Sequence, residues 1–438
     1  MREALLIACL FAAGPRVGAA GPAAAAEASA STAVLPGIDV LLSEKLDLVR
    51  GKRVALVTHA AAVTSRLEPT VDALFRAPGV QLVALMGPEH GLRGAAYAGE
   101  SVRDERDPKT RLPVFSLFGK TAKPTPEMLR GVDVVVIDFQ DIGVRSYTYK
   151  ATMALVMEAA AEADIPVIVL DRPDPLGGLR VEGNVPPADW PRSEVCWLRV
   201  PYVLGMTSGE LARMINGEGW LAGGKRCRLT VVPMKGWKRG KLFQETGLRW
   251  VPTSPHIPHW ESALFYAATS LFGPPEAGFN NGVGYPLPFE LMGAAWIDGE
   301  QLAGKLEARG LPGVRFRALQ FKPFYFPQRG EKCGGVQIHL DDPARAPLTP
   351  ITFYAFDALR ELYPERDLFA EPKAKRGLWS RLFGKRPASA WADWEQSMCD
   401  PSVRKQLAEG RRAADLIKGW DDDIAGFMKV REKYLLYP

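Results

Sequence analysis

Between Arg53 and Leu170 the chain alternates short apolar runs with helix-forming stretches, and this alternation constrains the fold most. The runs are Arg53–Val57, Val80–Met86, Val114–Leu117, Val132–Ile137 and Val167–Leu170. Runs of that length, bounded by turn residues such as Gly79 and Gly87-Pro88, read as buried strands. Ala151–Ala163, rich in Ala, Met and Leu, reads as a helix. Strand and helix in alternation imply βαβ units and a mostly parallel sheet covered on both faces. No G-x-G-x-x-G follows the first strand, and no G-x-x-x-x-G-K-[ST] occurs anywhere. The expected layout is therefore Rossmann-like without a nucleotide ligand.

Three of the runs release acidic residues at their ends. Val80–Met86 leads to Glu89 and His90, Val132–Ile137 to Asp138 and Asp141, and Val167–Leu170 to Asp171 and Arg172. Open α/β sheets bind ligands beyond the carboxyl ends of their strands. The pattern predicts one polar site on one sheet edge, and hence an enzyme.

A length of 438 residues suits two domains. The expected division is a leader over residues 1–30, a Rossmann-like α/β catalytic domain over 31–250, and a smaller α+β domain over 251–438. Arg2, the apolar stretch Ala4–Ala13 and the small residues through Ala30 resemble a secretory signal, too short for a membrane span. Export would place the protein in the periplasm or medium, where Cys196, Cys227, Cys333 and Cys399 meet oxidising conditions. Four cysteines allow three pairings, and spacing does not choose among them. Trp250–Pro258 and Phe272–Pro288 read as long loops of the kind that bind ligands. Thr207 and Glu210 have capping-box spacing before a helix running through Asn216, and the chain is expected to end in two helices. A basic insertion near 372–387, with Leu378, Trp379, Leu382 and Phe383 among its cations in Lys373–Arg386, is either a solvated insertion or a surface for anionic membranes. A net charge of +5 without a nucleic-acid motif argues against nucleic acid as a partner.

Longer motifs carry a resemblance. Pro88-Glu89-His90-Gly91-Leu92-Arg93-Gly94, Asp138-Phe139-Gln140-Asp141 through Tyr149, Asp171–Gly178, Val181-Glu182-Gly183, Gly205–Leu211, Cys333–Val336 and Arg431–Tyr437 together resemble the NamZ (DUF1343) family. Members of that family are exo-β-N-acetylmuramidases of cell-wall recycling. The resemblance covers nearly all of the chain after the leader. It implies a Rossmann-like amino-terminal domain, a distinct carboxy-terminal domain and a site between them. The implied substrate is a peptidoglycan-derived glycan with N-acetylmuramic acid at its non-reducing end. The family's motif glutamates fall on Glu89 and Glu182. The chain departs from the family at Thr58-His59 and Ser254-Pro255-His256, where Asn is common in place of each His, and in the loop Gly273–Tyr285.

Glycoside hydrolysis generally uses two carboxyl groups, one protonating the leaving oxygen and one acting as base or nucleophile. Glu89 is the expected acid, with Glu182 as second carboxylate and Asp138 or Asp141 as alternatives. His90, Arg93, Gln140, Tyr147 and His256 are candidate sugar contacts, with Tyr149 and Trp260 as further stacking rings. Arg145 and Arg172 could hold the lactyl carboxylate of muramic acid, or pair with Asp141 and Asp171. Paired carboxylates suffice, so this reading needs no cofactor and no metal. Two rivals stand beside it. A metal-dependent hydrolase would draw on His59, His90, Asp138 and Asp141. A non-catalytic glycan-binding protein is the other.

Overall fold

The fold comes from a computed structural model that describes residues 33–326, 328–371 and 389–438. The leader over 1–30 and the segment Lys373–Arg386 lie outside the described residues. Seven strands make the main sheet: β1 (Arg53–Thr58), β2 (Gln81–Gly87), β3 (Glu105–Arg106), β4 (Pro113–Ser116), β5 (Val134–Asp138), β6 (Val167–Leu170) and β7 (Leu229–Val232). Their order is β3-β4-β2-β1-β5-β6-β7. Every pairing is parallel except that of β3 with β4. The chain builds outward from β1 on one side, then crosses back to place β5 on the other. This makes a topological switch between β1 and β5, with all parallel strands ending on one edge.

The expected strands are present, with ends shifted by a residue or two. Both faces of β5 and β6 are buried, so their sequences read as unbroken apolar runs. Side chains alternate between faces. Val54, Leu56, Val134, Val136 and Ile168 meet Ile38 and Leu41 of α1 (Gly37–Glu44) and Leu74 of α2 (Thr70–Arg76). Ala55, Val57, Val135, Ile137 and Val169 share the other face with Met153, Val156 and Met157 of α3 (Tyr149–Glu162). A fully buried Leu or Ile of this kind stabilises the fold by about 1.5–3 kcal/mol. Strand β7 was not visible as an apolar run: it lies at the sheet edge, partly exposed, with Thr230 in its middle. Helix α4 (Ser208–Gly217) carries both reciprocal bonds of the Thr207/Glu210 capping box.

The second unit begins with α5 (Glu261–Thr269). Strand β8 (Leu291–Ala294), α6 (Gly299–Glu307), β9 (Val314–Phe321), β10 (Cys333–Leu340) and α7 (Pro350–Leu362) follow. The three strands form an antiparallel sheet in the order β8-β10-β9. After residue 389 come four short helices, α8 (Ala392–Met398), α9 (Pro401–Ala408), α10 (Ala413–Lys418) and α11 (Asp421–Glu432), where two were expected. Asp421, Asp422 and Asp423 do open the last one, as the helix dipole favours. Arg431 near its end does more than face that dipole. It is buried and donates to the carbonyls of Gly178 and Gly205. The chain end thus returns to the first sheet, where the Tyr437 hydroxyl donates to Asp171.

One disulfide, Cys196–Cys399, joins the first unit to the end of α8, with a Cα–Cα distance of 6.0 Å. Cys227 and Cys333 are buried free thiols.

Candidate active site

Strand β2 ends at Gly87, and the chain turns at once. His90 and Gly91 both take left-handed backbone angles, φ 70° and 76°. The Gly91 N–H closes the turn on the Pro88 carbonyl at 2.9 Å. Pro88 and Glu89 therefore stand at the sheet edge, with Glu89 half-buried. Its Oε1 accepts from the Gly99 N–H at 2.8 Å, and its Oε2 accepts from the Thr148 hydroxyl at 2.7 Å. Thr148 directly precedes α3, so the carboxylate also faces the positive end of a helix. Two donors fix the rotamer of Glu89, and among the described residues it has no ion-pair partner.

The surroundings of Glu89 register its charge. Burial raises the phenols of Tyr147, Tyr149 and Tyr266, and the negative charge of Glu89 adds to each shift. Tyr266 lies on α5 of the second unit. Glu194, exposed on its turn, also senses this charge: desolvation raises its carboxyl first, and repulsion from Glu89 second. Glu194 is presented by a tight turn in which Ser193 and Cys196 exchange backbone bonds of 3.1 and 3.0 Å. The same Cys196 is held by Cys399.

His90 is buried, its Nδ1 at 3.0 Å from the Ala96 carbonyl. His256 approaches from the segment before α5. Burial depresses its imidazole to about 4, with His90 as the second cause. It contacts the Tyr325 hydroxyl through Nε2 and stacks on that ring at 5.9 Å. Tyr325 belongs to the β9–β10 connection. Glu89, His90, His256, Tyr266 and Tyr325 thus link the edge of the large sheet to the second unit.

Several expected site residues go elsewhere, each for a clear physical reason. Asp138 is fully buried against Arg172, at 2.5 and 2.8 Å, and takes a third bond from Thr70 at 2.6 Å. That pair closes the switch point, so Asp138 is not a free second carboxylate and Arg172 presents no free fork to a substrate. Asp171 is bound by Thr207, Gly209 and Tyr437, and burial raises its carboxyl to about 6. Asp141 pairs with Lys150 and caps the Gly143 N–H at 2.7 Å. Asp174 shares this buried pocket, and burial pushes it up to about 6. A Cβ at Gly143 would meet its Oδ1 at 2.4 Å, so that position needs glycine.

Arg145 donates to the carbonyls of Asn184, Val200, Ser397 and Met398 and to the Asn184 side chain. Burial lowers its guanidinium to about 9. It ties α8 to the first unit, and the expected salt bridge to Asp141 is absent. Arg93 pairs with Asp107. Gln140 is buried, with its amide on the carbonyls of Asp141 and Pro173. Tyr147 and Tyr149 are buried, their hydroxyls on the Thr253 side chain at 2.9 Å and the Thr253 carbonyl at 2.8 Å. These two are core rings, not stacking platforms. Trp260 is half-buried against the core.

Both oxygens of Glu182 have structural partners. Oε1 pairs with Arg180, and Oε2 accepts from the Thr349 N–H at 2.7 Å. Arg180 itself holds the carbonyls of Pro343, Ala344 and Ala346. Glu182 lines a cavity of about 310 Å³ with Leu176, Leu179 and Leu242, apart from the partners of Glu89. It ties the two units together. His59 is buried, and its Nε2 accepts the Gln140 N–H at 3.0 Å. Among the described residues, no three His, Cys, Asp or Glu are grouped to hold a metal.

Sequence reasoning missed Glu194, which lies in an irregular loop and becomes relevant only through the turn closed at Cys196. The nearby cysteine was its one legible signal.

Comparison with known proteins adds independent findings. A family model described as exo-β-N-acetylmuramidase NamZ, N-terminal, matches residues 54–261, and its C-terminal counterpart matches residues 264–437. The chain is 39% identical over 404 residues to the peptidoglycan β-N-acetylmuramidase NamZ of Bacillus subtilis strain 168, covering 92% of this chain and 91% of that one. Two solved structures of DUF1343-family proteins from Bacteroides fragilis are similar. One has a TM-score of 0.83 at 42% identity, covering 93% of this chain and all of the other. The second has a TM-score of 0.71 at 28% identity, covering 92% and 99%.

Proposed function

The chain belongs to the NamZ family of exo-β-N-acetylmuramidases, and from that membership we propose that it releases N-acetylmuramic acid from the non-reducing end of peptidoglycan fragments with Glu89 as its central catalytic carboxylate. One observation carries the assignment. Among the acidic residues at the strand ends, Glu89 has donors that orient it but, among the described residues, no cation that neutralises it. Asp138 and Asp141 are consumed by Arg172 and Lys150, and Asp171 by hydroxyl and backbone donors.

Glu194 is the proposed partner. Glycosidic cleavage generally divides the acid and the base or nucleophile roles between two carboxyls. Glu194 is itself exposed, and its carboxyl is raised by desolvation first and by repulsion from Glu89 second, which favours its protonated form. Glu89, held by an N–H and a hydroxyl, is oriented for attack or for proton exchange with the leaving oxygen. Neither role needs a cofactor. An exported location is part of this reading, supported by the leader-like residues 1–30 and by the Cys196–Cys399 disulfide.

The test uses the β-1,4-linked disaccharide of N-acetylmuramic acid and N-acetylglucosamine, with free N-acetylmuramic acid measured by chromatography. Glu89→Gln preserves shape and the bond from the Gly99 N–H, and its amide can donate to the Thr148 hydroxyl in place of accepting from it, so the fold should persist while turnover falls. General acid–base catalysis is typically worth about 10²–10⁴-fold. Near-full activity in Glu89→Gln would remove it from the mechanism. Absence of the monosaccharide from wild-type digests would sink the muramidase reading.

A further inference from the structure

Three large aromatic side chains stay exposed on the loop after Glu89 and on the β9–β10 connection: Tyr97 at 73%, Phe324 at 60% and Tyr325 at 37%. Their positions are not accidental. The loop after Glu89 is pinned to the site at two points. Ala96 exchanges bonds with His90, its carbonyl at 3.0 Å from Nδ1 and its N–H at 3.3 Å from the His90 carbonyl. Gly99 donates to Glu89. Tyr97 lies between these anchors, and its own N–H is tied to Glu100 at 2.9 Å. The ring is therefore held a few residues from the catalytic carboxylate while remaining open to solvent.

Phe324 and Tyr325 come from the opposite side, on the β9–β10 connection. The Phe324 N–H is fixed to the Gly284 carbonyl at 2.8 Å, and the two rings lie 5.8 Å apart. Tyr325 also meets His256. His256 follows Thr253, which accepts from Tyr147 next to Thr148, the Glu89 partner, so the chain of contacts brings Tyr325 toward the loop of Tyr97; Tyr97 in turn adds, after burial, to the raised phenol of Tyr325.

We propose that Tyr97 on one side and Phe324 with Tyr325 on the other form an aglycone clamp, stacking on the N-acetylated hexosamine that follows the scissile bond. This rests on the glycosidase reading of Glu89. An exo-acting enzyme encloses the terminal sugar, whereas the next ring leads outward toward the remaining glycan. Aromatic faces at the mouth suit that second ring, because a pyranose offers an apolar C–H face flanked by hydroxyls that stay wet. Tyrosine combines a stacking face with a polar tip. The clamp would select glycan over small aglycones and hold the leaving group while Glu89 and Glu194 act.

The experiment has two arms. In the first, kcat and KM are measured on the muramyl–glucosaminyl disaccharide. Tyr97→Ala and Tyr325→Ala should each raise KM by about 3–10-fold, the factor that a single aromatic contact supplies, with a smaller change in kcat. Tyr97→Phe and Tyr325→Phe should retain the wild-type KM because the ring remains. Phe75→Ala, an exposed aromatic on α2, should change neither constant. In the second arm, Glu89→Gln protein is titrated calorimetrically with N,N′-diacetylchitobiose, and the two alanine changes should weaken binding by the same factors. Weakened binding with an active Glu89→Gln enzyme would reject the catalytic assignment and leave the clamp standing. Unchanged KM and binding in the alanine variants, or equal losses in the phenylalanine variants, would overturn the clamp.

Discussion

Removing the Cys196–Cys399 disulfide should destabilise the fold strongly. The bond joins residues 203 positions apart. Its main effect is on the unfolded chain, where a loop of that length loses freedom. The loop-closure relation gives about 18 cal/mol/K, or about 5 kcal/mol at 25 °C, as an upper figure. Native contacts such as the Arg145 bonds to Ser397 and Met398 leave that figure unchanged, because they belong to the folded state. Residual order in the denatured chain reduces it, so the expected loss is about 3–5 kcal/mol. Unfolding entropy near 2.1 cal/mol/K per residue over roughly 400 residues converts this to a fall in Tm of about 4–6 °C. The assay is thermal unfolding of Cys196→Ser/Cys399→Ser beside wild type, each with and without reductant. Cys227 and Cys333 do not complicate it, since burial raises both thiols to about 11 and keeps them inert. Wild type should fall to the level of the double variant on reduction, and the double variant should not respond. A shift below about 1 °C, or a double variant that still responds to reductant, would refute the reasoning.

Acid should destabilise the protein through His59. Its folded pKa lies well below 6.5, from burial first and then the charges of Arg172 and His90. Its stabilising contribution is therefore complete above pH 6.5 and is lost as pH falls, at up to about 1.4 kcal/mol per pH unit. His256, depressed to about 4, acts in the same direction between 6.5 and 4. His59→Asn keeps an acceptor for Gln140 and should flatten the loss in urea unfolding between pH 6.5 and 5; an identical slope would contradict the assignment. Arg172→Met should lower stability by about 3–5 kcal/mol, because Asp138 is left charged and buried. If urea unfolding shows no loss and KM rises instead, Arg172 serves the substrate after all.

Much of the architecture was legible in local sequence. Parallel strands buried on both faces must be apolar without interruption, so β1, β2, β5 and β6 announced themselves. The place of Glu89 at a strand exit was legible because the apolar run before it ends at Gly87-Pro88. The capping box at Thr207 needed only neighbours three residues apart. Edge strand β7, half-exposed and carrying a threonine, had no such signature.

The acidic residues at neighbouring strand ends looked alike in sequence and were separated only by packing. Burial without a partner is costly, so Asp138 recruited Arg172 across 34 residues, and Asp141 took Lys150 from the next helix. Glu182 sits in a family motif, yet Arg180 and Thr349 engage it at the junction of the units. Glu194 had only the nearby Cys196 as a signal and Tyr325 had none, because their surroundings are set by distant segments. The turn that presents Glu194 is closed at Cys196, which a disulfide spanning 203 residues holds, and Tyr325 lies on a hairpin of the second unit, in contact with His256. Local patterns of hydrophobicity and turn chemistry act between neighbours in the chain and specify elements. Which charges are neutralised and which rings face a cleft depends on long-range contacts, and those exist only once the elements are packed.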